Sequence, residues 1–271
     1  MKLQLCVMLL ALGLMPGCAE KQITQEENWI QLFNGHDLTG WTIKISGHEA
    51  GENFKNTFVV ADSILTVNYD EYEEWNNEFA HLFYEKPFSH YRLRIEYRFL
   101  GEQVPGAQTW ARRNSGVMLH SQSAASMEKN QNFPVSVEMQ FLARTETRDW
   151  TTCNLASPGT HVVVADTLYT DHMYYSASES FDMDEWVSVE AIVLGDSVIH
   201  YLVEGDTVLT YNQPQIGGWE LDEETGWVAD KTWVKQMQGT LLKEGYIALQ
   251  AESHPVQFRK VELLDLSKAS Y

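Results

Sequence analysis

Residues 132–143 (N-F-P-V-S-V-E-M-Q-F-L-A) alternate apolar side chains with polar ones that could do chemistry. Successive side chains of a β-strand point to opposite faces, so a strand here would bury every second residue from Val135 to Phe141. The other face would then carry Glu138 and Gln140 as neighbours. A carboxylate beside a carboxamide in mid-strand is unusual unless that face is solvated or lines a site, so both are candidate site residues.

Two other stretches show the same two-faced pattern, residues 114–120 (N-S-G-V-M-L-H) and residues 246–254 (Y-I-A-L-Q-A-E-S-H). Their apolar residues would share the buried face, and their polar residues the other. The polar residues that we assign to the site are Asn114, His120, Gln250, Glu252 and His254. Three such strands side by side would form an apolar floor below a surface bearing carboxylates, carboxamides and imidazoles. This surface is the predicted site, and its carboxylates and imidazoles are the groups that act as general bases.

The same residues include candidate metal ligands. Glu252 and His254 are one pleat apart, and Glu138 or His161 could complete a site that would suit Zn²⁺ or another divalent ion. No closely spaced motif such as H-E-x-x-H is present in the chain. A divalent metal is therefore a candidate cofactor, and no cofactor is certain.

Three residues outside these stretches complete the candidate set. His161 follows Pro158-Gly159-Thr160, a rigid turn that could direct its imidazole inward, and His172 precedes an aromatic patch. Arg259 could bind an anionic group of a ligand, and a structural salt bridge to a nearby acidic residue is an equal alternative.

Strands with short turns between them account for most of the remaining chain. Residues 91–99 alternate cleanly between apolar and charged side chains, which indicates a strand with one solvent-exposed face. Residues 186–211 predict a three-strand meander with tight turns at Gly195-Asp196 and Gly205-Asp206. Helical periodicity is modest and confined to residues 233–242. Many strands and few helices predict an all-β, antiparallel, two-sheet sandwich.

The N-terminal segment predicts export. Residues 1–17 contain one early cation, Lys2, and a short apolar run, and Met-Pro-Gly precedes Cys18 in the manner of a lipoprotein signal. Cleavage there would leave a lipid anchor on Cys18, a polar tether over residues 18–28 and one domain over residues 29–268. The alternative is an ordinary secretory signal. We expect a membrane-anchored lipoprotein facing the periplasm.

Charge and cysteine content exclude some partners. The chain has 38 acidic and 19 basic residues, a formal net charge of −19, which argues against binding to nucleic acid. After removal of the signal and acylation of Cys18, Cys153 would have no disulfide partner. We predict that Cys153 is a small buried side chain, as unpaired cysteines usually are.

Several motifs resemble a known family. They are L-F-N-G-H-D-L-T-G-W (residues 32–41), R-N-S-G-V (113–117), F-P-V-S-V-E-M-Q (133–140), N-L-A-S-P-G-T-H-V (154–162), Y-N-Q-P-Q-I-G-G (211–218) and G-Y-I-A-L-Q-A-E-S-H-P-V-Q-F-R-K-V-E-L (245–263). Together they resemble the bacterial 3-keto-disaccharide hydrolase domain family. The resemblance implies a concanavalin A-like jelly-roll sandwich and cleavage of glycosides already oxidised to a ketone at sugar carbon 3.

The implied reaction requires particular chemical groups in the site. A 3-keto group acidifies the C2 hydrogen, so a base can remove it and the C1 aglycone can leave by elimination. A cation or metal would stabilise the enolate, and a proton donor would assist the departing oxygen. Indole faces in predicted loops could stack on the sugar, with Trp75, Trp110, Trp150 and Trp219 as candidates. Two alternatives are a non-catalytic carbohydrate-binding sandwich and a structural envelope lipoprotein.

Overall fold

The structure, a computed structural model, describes residues 28–218 and 231–267. The predicted signal peptide, the Cys18 anchor and nearly all of the tether lie outside the described residues, as does Trp219. None of the helices in the described ranges has the length and apolar character needed to span a membrane.

Strands dominate the described residues, as the sequence predicts. They are β1 (Trp29–Gln31), β2 (Trp41–Ile45), β3 (Phe58–Ala61), β4 (Ile64–Val67), β5 (Ala80–Tyr84), β6 (His90–Phe99), β7 (Asn114–Ser121), β8 (Val137–Leu142), β9 (Asn154–Ala156), β10 (Thr160–Val164), β11 (Thr167–Tyr169), β12 (Met173–Tyr174), β13 (Val187–Leu194), β14 (Val198–Val203), β15 (Asp206–Ile216), β16 (Tyr246–Ala251) and β17 (Val256–Asp265). One short helix, α1 (Lys231–Met237), lies in the second described range. It begins and ends slightly earlier in the chain than the predicted helical stretch, residues 233–242.

The strands form two antiparallel sheets. One has ten strands in the order β11-β10-β15-β14-β13-β6-β17-β4-β3, with β1 paired to β17, and the other has seven in the order β12-β9-β8-β7-β16-β5-β2. The predicted meander is confirmed as β13, β14 and β15, paired in that order. The all-β, two-sheet antiparallel sandwich predicted from the sequence is confirmed.

The two sheets meet through their apolar faces. On β6 the residues from Tyr91 to Phe99 alternate strictly between buried and half-buried. Tyr97 of β6 stacks on Phe141 of β8, with ring centroids 4.3 Å apart. Val117 and Leu249, from the neighbouring strands β7 and β16, belong to the same buried cluster. The apolar positions of the three site strands therefore face the core, and their polar positions face away from it.

Cys153 is fully buried in this core, as predicted. Burial raises the pKa of its thiol far above the ordinary value, with a hydrogen bond involving Thr152 opposing the shift. A thiol held neutral in this way is a poor nucleophile.

Candidate functional site

The outer face of the seven-stranded sheet brings the three polar strands together. β8 pairs with β7, placing Glu138 opposite Met118 and Gln140 opposite Gly116. β7 pairs in turn with β16, so the chain just after β16 carries Glu252 to the Asn114 end of the same face. Glu138 and Glu252 converge from positions 114 residues apart in the chain, in agreement with the predicted surface.

A cavity of about 250 Å³ lies on this face. Its floor comes from the strands, and loops outside the sheet cover it. The lining side chains are Thr109, Trp110, Arg112, Asn114, Phe133, Glu138, Gln140, Leu142, Trp150, Ala156, Pro158, His172, Met173, Tyr175 and Glu252. Five predicted site residues therefore line one cavity: Asn114, Glu138, Gln140, His172 and Glu252.

Gly116 makes room for the Glu138 side chain. A Cβ atom at position 116 would lie 2.4 Å from Glu138 Oε1, far inside van der Waals contact. The glycine of the N-S-G-V motif is therefore required by the carboxylate on the neighbouring strand.

Glu138 and Glu252 are buried carboxyl groups that raise each other's cost of ionisation. Their residues are 4% and 2% exposed. Burial raises the pKa of Glu138 to about 8, against a smaller opposing effect of a hydrogen bond from Gln250. Burial also raises the pKa of Glu252 well above its ordinary value, and the neighbouring Glu138 charge raises it further. Because an ionised Glu138 makes the ionisation of Glu252 costlier still, Glu252 keeps its proton once Glu138 has lost its own.

Gln250 favours Glu138 as the ionised member of the pair. Its Nε2 lies 3.4 Å from Glu138 Oε2, a long hydrogen bond donated to the carboxylate. The Gln250 backbone is fixed in turn, because Ser115 Oγ donates to its carbonyl oxygen at 2.8 Å. Gln250 thus contacts Glu138 from below the cavity and is not among its lining residues, whereas the sequence analysis assigns it to the site surface.

The floor also presents polar atoms that are ready for a ligand. Four buried oxygens at or just below this floor have no hydrogen-bond partner among the described residues: Asn114 Oδ1, Glu138 Oε1, Gln250 Oε1 and Glu252 Oε2. Leaving buried polar atoms unpaired costs free energy of about 1–3 kcal/mol each, so native proteins place such groups mostly where function requires them. Three of the four belong to side chains that line the cavity.

His172 and Arg112 supply the other titratable groups of the lining. Burial lowers the pKa of His172 to about 4, so its imidazole is neutral at neutral pH. Arg112 stands next to the start of β7 and pairs with Glu146, with 3.0 Å between Nη2 and Oε1. It gives the cavity a permanent cation.

Two indoles of the lining match the prediction of loop tryptophans. Trp110, on a short 3₁₀ turn, stacks on Phe79 with centroids 6.0 Å apart, and Trp150 stacks on Tyr175. Trp75 does not reach the cavity, because it is packed into the core among other aromatic rings. The prediction of a sugar-stacking role for Trp75 is therefore wrong.

His120 does not face the cavity, contrary to the sequence prediction. Its φ is +49°, which breaks the alternation of β7 at this residue. Its Nε2 donates a 3.0 Å hydrogen bond to the carbonyl oxygen of Gly195, in the β13–β14 turn of the ten-stranded sheet. Its ring also contacts Tyr91 edge-on. His120 therefore links the two sheets.

His254 also departs from the predicted face. β16 ends at Ala251, and φ of +71° at Ser253 turns the chain before His254. The His254 ring packs edge-on against Phe99 of the other sheet. Burial lowers its pKa to about 3, with the positive charges of Arg113 and Arg112 adding to the shift. The expectation that Glu252 and His254 bind one ligand together is wrong.

The candidate metal site predicted from the sequence does not form, because His254 turns away from Glu252. Among residues 28–218 and 231–267, no three His, Cys, Asp or Glu side chains are grouped so that they could hold a metal ion. Glu252 faces the cavity and His254 faces the core, so this pair does not form the start of a metal centre.

His161 and Arg259 belong to the ten-stranded sheet. His161 of β10 alternates with Thr160 and the core residue Val162, and its ring covers Gly217, where a Cβ atom would lie 2.4 Å from Nδ1. Arg259 of β17 pairs with Glu96, and its guanidinium lies 4.4 Å from the centre of the Trp186 ring. Neither lines the cavity, so the structure does not bring either residue to the carboxyl pair, and Arg259 forms the structural salt bridge that was its alternative.

Sequence reasoning missed Arg112 and Tyr175 as lining residues. Arg112 lies two residues before the N-S-G-V strand, and an arginine at the entry of a polar strand is a usable signal for a ligand-facing cation. Tyr175 follows β12 directly, and its sequence context indicates no more than an aromatic patch. Strand patterns alone do not predict which loops cover the floor of the cavity.

Comparison with known proteins identifies the family. Residues 28–264 match the family described as the 3-keto-alpha-glucoside-1,2-lyase-like domain. The chain belongs to this family. The match confirms the resemblance drawn from the motifs, and it places the protein in a family of carbohydrate-active enzymes. A comparison with curated proteins gave no match.

Solved structures of similar shape agree on the fold of this 3-keto-alpha-glucoside-1,2-lyase-like domain. A candidate glycosyl hydrolase from Parabacteroides distasonis has a TM-score of 0.54 at 17% identity, covering 88% of this chain and 94% of that chain. A Bacillus subtilis protein of unknown function with a galectin-like fold has a TM-score of 0.53 at 13% identity, covering 88% of this chain and 94% of that chain. These likenesses bear on the fold alone, and they agree with a jelly-roll sandwich.

Proposed function

We propose that this 3-keto-alpha-glucoside-1,2-lyase-like domain cleaves 3-keto-glycosides by removing the C2 proton and eliminating the C1 aglycone. The observation that carries the proposal is the pair of buried carboxyls, Glu138 and Glu252, at the floor of one cavity. A pair that holds one proton offers a base and an acid in the same site, which is what an elimination with proton transfer at both ends requires.

Glu138 is the base in this proposal. The hydrogen bond from Gln250 favours its ionised form over that of Glu252. Its carboxylate takes the C2 hydrogen as a proton, and the electron pair of the C–H bond becomes the enolate of the 3-keto group. A base whose pKa is raised by burial is stronger than an exposed carboxylate and is suited to a weakly acidic carbon.

Glu252 is the acid. It retains its proton next to ionised Glu138 and gives that proton to the C1 oxygen as the C1–O bond breaks, so the aglycone leaves as a neutral alcohol or phenol. The product is an enone with a double bond between C1 and C2. Addition of water, with hydroxyl to C1 and hydrogen to C2, then gives the free 3-keto sugar.

Arg112 and His172 stabilise and orient the substrate. The Arg112 guanidinium is the permanent cation of the lining, and a cation in a cavity shielded from water stabilises an enolate oxygen more strongly than it would in solution. His172, neutral at neutral pH, can exchange hydrogen bonds with sugar hydroxyls without adding charge.

A substrate pair tests the proposal. Purified protein is incubated with a phenyl 3-keto-glucoside and, in parallel, with the parent phenyl glucoside, while phenol and the enone are followed by chromatography and absorbance. We expect release from the oxidised substrate only. Release from the parent glucoside at a comparable rate would contradict the proposal. Saturable binding of both compounds without any product would favour the non-catalytic carbohydrate-binding alternative.

We also propose that the protein is exported and held at the periplasmic side of a membrane through lipid on Cys18. The support is the apolar segment ending in Met-Pro-Gly-Cys at residues 15–18. Cys18→Ser should leave the protein exported but no longer sedimenting with membranes. Membrane association that persists in this variant after a high-salt wash would contradict the lipid anchor.

A further inference from the structure

The cavity is chemically divided between its floor and its covering loops. The strands and their ends contribute carboxyl and carboxamide groups from Asn114, Glu138, Gln140 and Glu252. The loops and their turns contribute four aromatic rings, which are those of Trp110, Phe133, Trp150 and Tyr175. A glycoside bound with its reacting carbons at the carboxyl pair would therefore have its aglycone among aromatic rings.

Two of these rings are exposed although they are large and apolar. Trp110 is 46% exposed and Tyr175 is 50% exposed, and both line the cavity. Exposed apolar side chains grouped at a concave site commonly mark a ligand-contact surface.

Both exposed rings are also fixed in orientation. Trp110 lies nearly parallel to Phe79, with 6° between the ring planes, and Phe79 is itself buried in the core. Tyr175 lies against Trp150 at 24°, and the guanidinium of Arg148 lies 3.6 Å from the centre of the Trp150 ring. A flat ligand that stacks on such rings gains contact without a large cost in side-chain entropy.

The polar groups of this region are too few for a second sugar. Among the described loop side chains of the lining, only Thr109, Arg112 and His172 carry hydrogen-bonding groups in addition to the indole and phenol of the aromatic rings. A sugar aglycone would bring hydroxyls around its whole edge, and each buried hydroxyl without a partner would cost free energy. The volume of about 250 Å³ is also below the ~300–1,000 Å³ of pockets that enclose a whole drug-sized ligand.

We infer that the aromatic loop side chains form an aglycone subsite that selects planar aryl aglycones over saturated or sugar aglycones. The inference rests on the proposed function, since it assigns the leaving part of the same substrate. Aryl groups present the flat apolar faces that Trp110 and Tyr175 can stack on, and they need few hydrogen-bond partners.

The test compares each variant with the wild-type protein by its ratio of kcat/KM for an aryl substrate to kcat/KM for a saturated one. This comparison separates the effect of ring stacking from the effect of the leaving group. kcat/KM is measured for phenyl and cyclohexyl 3-keto-glucosides of the same anomer with the wild-type protein, Trp110→Leu and Tyr175→Leu. Phenol leaves more easily than cyclohexanol, but this difference is common to all variants and cancels when their phenyl-to-cyclohexyl ratios are compared. We expect each substitution to lower the ratio by about two- to tenfold, the value of one aromatic stacking contact.

Trp186→Leu is the matched control, because Trp186 packs against Arg98 and Arg259 on the other sheet. It should leave the ratio unchanged. Ratios that stay the same in Trp110→Leu and Tyr175→Leu, with turnover intact, would overturn the aryl subsite while leaving the proposed function in place.

If the protein turns over no 3-keto-glucoside, the proposed function is wrong, and a binding measurement then tests the aryl subsite by itself. Calorimetric titration with unreactive phenyl and cyclohexyl glucosides then reports on the subsite alone. Tighter binding of the phenyl compound, lost in Trp110→Leu and Tyr175→Leu, would support the subsite, and equal affinities would overturn it.

Discussion

The outer faces of the two sheets carry glutamates in opposite electrostatic surroundings. On the ten-stranded sheet, Glu262 accepts from Arg94 Nη1 at 2.8 Å, and Glu96 accepts from Lys260 Nζ at 2.9 Å. On the seven-stranded sheet, Glu138 and Glu252 have each other and a carboxamide as neighbours. The difference shows how two similar strand patterns can give a surface of salt bridges and a surface of buried carboxyls without a cationic partner.

The pKa shifts express this difference directly. Burial alone would raise the pKa of Glu96, but hydrogen bonds and charges from Lys260 and Arg259 lower it overall. At Glu138 no cation compensates for burial, and the pKa rises to about 8. A carboxylate with ion-pair partners is kept charged and inert, whereas one without them is able to exchange a proton near neutral pH.

The largest expected effect comes from removing the carboxyl pair. Glu138→Gln and Glu252→Gln should each reduce kcat on a 3-keto-glucoside by on the order of 10²–10⁴, the usual contribution of a general acid or base. Steady-state kinetics with the phenyl 3-keto-glucoside measures the loss. Glu96→Gln is the matched control on the ten-stranded sheet and should retain nearly full activity. Equal losses in all three variants would mean that the two faces do not differ in function.

The next effect comes from the space that Gly116 leaves for Glu138. In Gly116→Ala the new Cβ atom would meet Glu138 Oε1, which must move away from its position at the cavity floor. We expect a fall in kcat of at least tenfold, together with a loss of about 1–3 kcal/mol in the free energy of unfolding from overpacking. Kinetics and urea unfolding measure the two quantities. Unchanged kcat in a folded variant would show that the position of Glu138 is not critical.

The stability of the protein should reveal the same contrast through its pH dependence. Glu138 binds a proton more tightly in the folded than in the unfolded state, so its contribution to stability is full below pH 4.5 and falls as pH rises towards 8. The histidines whose pKa values are lowered contribute in the opposite sense, but only up to their ordinary value of about 6.5; they are His81, His120, His172 and His254.

Between pH 6.5 and pH 8 these histidines no longer change the free energy of unfolding, so the decline caused by the buried carboxyls should be visible. We expect the free energy of unfolding to fall across this window by about 2 kcal/mol from Glu138 alone. Urea unfolding at several pH values measures it. Glu138→Gln should flatten the decline, and Glu96→Gln should not. Identical slopes in wild type and Glu138→Gln would contradict the raised pKa.

The smallest expected effect comes from Gln250. Gln250→Met removes the hydrogen bond to Glu138 at nearly constant volume, so the ionised form of Glu138 loses support and its pKa rises. The acid limb of the pH profile of kcat/KM should move to higher pH. Gln257→Met, which removes a carboxamide bonded to Arg98 on the other sheet, is the control. A uniform drop in activity with an unmoved limb would mean that Gln250 acts only on packing.

Strand alternation was sufficient to predict the floor of the site. The pattern in residues 132–143 placed Glu138 and Gln140 on the face opposite the core, and β8 has that arrangement. The same reasoning separated β6, with its charged outer face, from the site strands. These predictions succeed because side-chain direction in an extended strand depends only on local backbone geometry.

The same rule failed where the backbone leaves the extended conformation. His120 and Ser253 have positive φ angles, and each one redirects a histidine towards the core. Neither is a glycine, so composition gives no warning of the change. Arg259 failed for a different reason, because its location depends on the pairing of β17 with β6 and β4, which is long-range. The loops that cover the cavity on the seven-stranded sheet are likewise set by tertiary structure.

The most direct test of the central claim is whether Glu138 removes the C2 proton. The phenyl 3-keto-glucoside is incubated in D₂O, and NMR follows hydrogen at C2 in remaining substrate and in product. The account predicts deuterium at C2 of the product, a primary isotope effect with C2-deuterated substrate, and loss of both cleavage and exchange in Glu138→Gln. Aglycone release with the original C2 hydrogen retained in the product would contradict it.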